Sequence, residues 1–94
     1  MSVLVRLPQA LADDAAGMTQ LRVDVEPGAT LRDLLAVLGA RYPALGRRLC
    51  DETGQVRRFV NIYVGDDESR TLNGLATPVP SGAVILVAGS VAGG

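Results

Sequence analysis

The chain has 94 residues and a formal net charge of −1, enough for one small domain and too little field to draw in nucleic acid or anionic lipid. Apolar residues make up 48% against 20% charged, a globular composition in which Val, Leu and Ala rather than aromatics must build the core. Histidine and lysine are absent and all nine positive charges are arginine, which removes the commonest general base, the commonest zinc ligand and the Schiff-base amine together.

Met1 to Pro8 lacks the charged start and long apolar run of a signal peptide. With a lone cysteine, Cys50, and hence no intrachain disulfide, the expected compartment is the reducing cytosol. No apolar stretch approaches the ~20 residues of a membrane span.

In chain order, Val3 to Leu7 is β-branched and aliphatic and stops at Pro8, which predicts a strand. Asp13 to Gly17 is small and polar, a loop. Gln20 to Val25 alternates polar and apolar residues, so a second, half-buried strand should pair with the first as a hairpin. Pro27-Gly28 punctuates, and Thr30 is placed to cap a helix with Asp33 in its first turn. Leu31, Leu34, Leu35 and Leu38 fall at i, i+3, i+4 and i+7, an apolar stripe that faces a core. Pro43 ends this helix near Arg41 or Tyr42, and Ala44 to Leu49 reads as a short second one.

Arg58 to Val64 is the strongest strand signal. Gly65-Asp66-Asp67 makes a tight turn, and Glu68 to Leu72 reads as a short edge strand. Pro78 and Pro80 flank an extended connector. Ala83 to Val87 is apolar almost throughout, as expected of a central strand covered on both faces. The predicted organisation is an α+β domain over residues 1–88, a mixed sheet of four to five strands with one main helix across one face. A tail, residues 89–94, ends in Gly93-Gly94.

That glycine pair is the most informative feature. Without Cβ atoms, Gly93 and Gly94 can enter a channel one chain wide and expose a terminal carboxylate. The six residues from Gly89 span at most roughly 20 Å. Other candidates are weaker. Cys50 has no histidine partner and reads as a small apolar residue near a helix end. Asp66-Asp67-Glu68 lacks the ligand spacing of a calcium loop, and no metal site is expected. Arg47-Arg48 and Arg57-Arg58 have no interleaved stacking residues, so they read as surface ion pairs, with neither nucleic acid nor membrane as partner.

Phe59-Val60-Asn61-Ile62-Tyr63-Val64, Gly74-Leu75-Ala76-Thr77, the Gly82 turn and the closing Val91-Ala92-Gly93-Gly94 resemble the bacterial ubiquitin-like sulfur carriers. That family includes the small subunit of molybdopterin synthase and the actinobacterial cysteine-biosynthesis carriers, and Arg58 to Val64 looks closest to the latter. Two departures stand out: Ser81-Gly82-Ala83 lacks the acidic turn of relatives, and Gly89-Ser90 precedes Val91-Ala92.

The resemblance implies a β-grasp fold and a non-enzymatic role. Gly94 would be adenylated by an E1-like partner using ATP and Mg, with no cofactor bound by the carrier itself. A sulfur-donor protein would then convert it to a thiocarboxylate. Val91, Ala92 and Gly93 would thread the partner's active site. The acceptor would be a cysteine synthase, a molybdopterin synthase large subunit or another metabolite synthase. The alternative from a different class is a ubiquitin-like modifier joined through Gly94 to target lysines.

Overall fold

The expected hairpin is present. β1 (Ser2–Arg6) pairs antiparallel with β2 (Gln20–Asp24), Val3 opposite Val23 and Val5 opposite Leu21, so both strands turn their apolar residues to one side. The computed structural model describes residues 1–89, and residues 90–94 lie outside the described part. The segment between the strands is not the expected loop but a 3-10 helix, Gln9–Ala15, which buries Leu11, Ala12 and Ala15 and packs against the helix of residues 43–49.

Helix α1 (Leu31–Arg41) begins with a reciprocal capping box. The Thr30 hydroxyl accepts from the Asp33 N–H (3.4 Å) and the Asp33 carboxylate accepts from the Thr30 N–H (2.9 Å), satisfying two backbone donors. Pro43 both stops α1 and starts α2 (Pro43–Leu49), because a first-turn position needs no N–H. The two helices touch at bare backbone: a Cβ on Gly46 would sit 2.9 Å from the Cα of Gly39.

β3 (Val60–Val64) turns through Gly65, at φ +64°, into a short edge strand. The edge strand is shorter than Glu68 to Leu72: β4 is only Asp67–Glu68. The Glu68 carboxylate accepts the Arg70 N–H (2.7 Å) and the Thr71 hydroxyl donates to the Glu68 carbonyl (2.7 Å), which curls Ser69–Thr71 into a 3-10 turn. β5 (Val84–Gly89) then enters the middle of the sheet, parallel to β1 and antiparallel to β3.

The strand order is β2-β1-β5-β3-β4, the β-grasp arrangement. Val3, Val5, Leu21, Val23, Val60, Ile62, Ile85 and Val87 face the helices and meet Leu31, Leu34, Leu38, Leu45 and Leu49 in one core. Burying each such side chain stabilises the fold by about 1.5–3 kcal/mol. The opposite face has no helix over it among the described residues. Here the expectation for the last strand fails: β5 is central but covered on one side only, leaving Val84 40% and Leu86 41% exposed. Gly89, expected in the tail, is the last residue of β5 and pairs with Val60.

Candidate docking face and carrier terminus

Strand alternation builds the site. Along β5, Ile85 and Val87 point into the core, so Val84, Leu86 and Ala88 must point to the open side. Register brings Leu4 beside Val84, Arg6 and Tyr63 beside Leu86, and Asn61 beside Ala88. The result is a patch of Leu4, Tyr63, Val84 and Leu86 flanked by the exposed Arg6 and Arg22. Asp24 is the acidic residue of β2 and lies at the far end, opposite Ser2. Arg22 leans over the hairpin toward the Ser2 hydroxyl (3.4 Å).

β5 runs along this patch and ends at Gly89. Phe59, 50% exposed, precedes the residue that pairs with Gly89 and marks the same end of the sheet. The predicted carrying residue Gly94 and the predicted threading residues Val91, Ala92 and Gly93 lie outside the described residues. The exposed Val84 and Leu86 were not expected at the surface, and Phe59 entered only as part of the Phe59–Val64 stretch. The signal for Val84 and Leu86 was the apolar run itself, whose alternate residues exceed what one covered face needs.

The weaker candidates resolve into local structure. Cys50 caps the C-terminus of α2 and is half-buried. Burial, and then the adjacent Asp51 carboxylate, push its thiol up, outweighing the opposing pull of Arg57 and Arg32. It is therefore a protonated, poorly nucleophilic thiol at neutral pH. Asp51 is held low chiefly by the Thr53 hydroxyl, with the Thr53 and Gln55 N–H groups adding to it in the Asp51–Gln55 turn.

Of the arginines expected to form surface ion pairs, Arg48 does so, 3.5 Å from Asp14, whereas Arg57 Nε donates to the Arg47 carbonyl (2.8 Å) rather than to a carboxylate. Glu68, from the acidic turn, is engaged by Arg70 at 3.1 Å. Among the described residues, no three His, Cys, Asp or Glu side chains are placed to share a metal ion. No described helix is long and apolar enough to cross a membrane.

A mixed sheet in the order β2-β1-β5-β3-β4, with helices on one face and an open apolar patch on the other, is a ubiquitin-like β-grasp domain. More particularly, the chain belongs to the ThiS family, whose family model matches residues 8–94. It is 35% identical over 96 residues to the sulfur carrier protein CysO of Mycobacterium tuberculosis, with all of both chains covered. The crystal structure of that CysO superposes with a TM-score of 0.81 at 33% identity, covering 95% of this chain and 99% of the other.

One chain of the crystal structure of the Amycolatopsis orientalis BexX/CysO complex superposes with a TM-score of 0.83 at 30% identity, covering 98% of this chain and 99% of that one. Small archaeal modifier protein 3 of Haloferax volcanii is 33% identical over 81 residues, 86% of this chain and 87% of the modifier. The full-length match to a sulfur carrier favours sulfur carriage over protein modification.

Proposed function

We propose that this protein carries sulfur as a thiocarboxylate on Gly94 and serves as a co-substrate of partner enzymes in the cytosol. The observation that supports it most is the placement of β5: its outward residues Val84 and Leu86 form the open patch, and its last residue, Gly89, leads straight to the tail. Docking on the patch would aim residues 90–94, roughly 17 Å when extended, into a partner's active site.

The chemistry follows from what a carboxylate lacks. It is a poor electrophile at neutral pH, so an E1-like enzyme with ATP and Mg activates it: a carboxylate oxygen attacks the α-phosphorus and pyrophosphate leaves. Hydrosulfide delivered by the sulfur donor then attacks the acyl carbon, forming the C–S bond as the C–O bond to AMP breaks, and loss of the S–H proton leaves the thiocarboxylate. That sulfur is a soft nucleophile for a synthase making cysteine, molybdopterin or another sulfur-containing metabolite. The resemblance of Arg58 to Val64 favours the cysteine route. The Amycolatopsis orientalis relative, crystallised with BexX, supports transfer by direct protein docking.

The chain's own part is to bind and to present. Incubation with the adenylating enzyme, ATP, Mg and a sulfur source should replace one oxygen by sulfur at Gly94, as read by intact-mass and fragment spectrometry. Deleting Gly94 sets the carboxylate back roughly 3.5 Å, and loading should be largely lost because catalysis tolerates about 1 Å of misplacement poorly. Sulfur found on Cys50 as a persulfide, with the terminus unmodified, would overturn the proposal. The similarity to an archaeal modifier carries a second reading, attachment through Gly94 to target lysines. Gly-Gly remnants on lysines of cellular proteins would reveal it.

A further inference from the structure

β4 pairs only with Tyr63 and Val64, so among the described residues no strand lies along the outer edge of β3 from Val60 to Ile62. On its other edge this same stretch holds the end of β5: Val60 pairs with Gly89, Asn61 with Ala88, Ile62 with Val87. The root of the tail therefore rests on a strand that lacks a neighbour where support matters most.

Arg70 fills that gap. Its Nη2 donates to the carbonyls of Arg57 (3.0 Å) and Val60 (2.9 Å), and its Nη1 to Asn61 Oδ1 (3.1 Å) and Glu68 Oε2 (3.1 Å). Those four contacts use the four Nη hydrogens of the guanidinium. Glu68 grips the same residue twice, since its other oxygen accepts the Arg70 backbone N–H at 2.7 Å. The Arg57 carbonyl also accepts the Val60 N–H at 3.0 Å, so one planar group ties down the whole approach to β3, Phe59 included. A lysine ammonium, a single point charge, cannot span these acceptors.

We infer that Arg70 is a positioning residue for the carrier reaction: it stands in for the missing edge strand and fixes the direction in which the tail leaves β5. This rests on the reading that the tail end is the working group. Arg70 lies on the opposite side of β3 from β5, so its loss would leave the patch of Val84, Leu86 and Tyr63 able to dock. A misaimed tail root would then lower turnover with little change in binding, and displacement of about 1 Å at a reacting group costs on the order of a hundredfold.

The test compares wild type, Arg70→Gln and Arg70→Lys in adenylation by an enzyme that activates the wild-type chain, with Gly46→Ala as a destabilised control far from the tail root. Both Arg70 variants should lose about tenfold or more in kcat, with KM for the carrier within about threefold. Gly46→Ala should keep its kcat below its melting temperature. In the free protein, amide hydrogen exchange over Val87–Gly89 should quicken in both Arg70 variants, and remain as in wild type in Gly46→Ala.

An unchanged kcat, unchanged exchange, full rescue by lysine, or an equal kcat loss in Gly46→Ala would overturn the inference and leave the carrier reading standing. Failure of the wild-type chain to be adenylated by any ATP-dependent partner would instead overturn the carrier reading, and this inference with it.

Discussion

The two faces of the central strand differ in what covers them although they are nearly the same in composition. Ile85 and Val87 lie fully buried beneath α1 and α2, while their neighbours Val84 and Leu86 stand 40% and 41% exposed on the open side. One strand thus carries two apolar rows in different surroundings: one holds the domain together, and the other stands open, where the proposed docking would use it. Apolar character alone does not mark a core. Coverage by a second layer does.

The sharpest break of that division is on the covered side. Leu34→Ala empties space under the sheet where Leu34 is fully buried, and should cost about 2–5 kcal/mol. For a domain of this size that lowers the melting temperature by about 4–8 °C per kcal/mol. A melting curve like that of wild type would mean that α1 does not seal this face. Gly46→Ala comes next. Its methyl would press on the Gly39 Cα and part the helices, costing about 1–3 kcal/mol in a denaturant titration.

The smallest stability effect belongs to the open row. Leu86→Ala should change stability by no more than about 0.5 kcal/mol, yet weaken binding to the activating enzyme in a titration of the folded variant. A variant as destabilised as Leu34→Ala would show that the open face is part of the core after all.

Much of this fold was legible because several residues carry their reason locally. Gln20 to Val25 alternates, Thr30 and Asp33 cap each other across three positions, and the leucines of α1 keep the helical period. Reading failed where distant partners decide. Leu11, Ala12 and Ala15 look like loop residues around Asp13-Asp14 until α2 packs against the turn that carries them. The edge strand stops at Glu68 because its carboxylate captures Arg70. The apolar run of β5 read as doubly covered because periodicity cannot separate a second core face from a surface awaiting a partner. Of the candidate site, Gly94 could be chosen by its position and lack of a side chain. Arg70 could not, since three of its four guanidinium acceptors belong to residues 57, 60 and 61, brought near only by the folded sheet.

The place of β5 in the middle of the sheet has a consequence for how the protein is made. It is the last strand in the sequence, yet β1 on one side and β3 on the other are joined only through it. During synthesis the first hairpin and the helices emerge early, but the sheet stays in two halves until Val84 to Gly89 has left the ribosome. Such long-range closure comes late and is slow compared with local pairing. A chain released short of that strand leaves its leucines without a lid and its two half-sheets apart, a state that cellular proteases remove. Completion of the sheet therefore waits on Val84 to Gly89, the strand that joins its two halves.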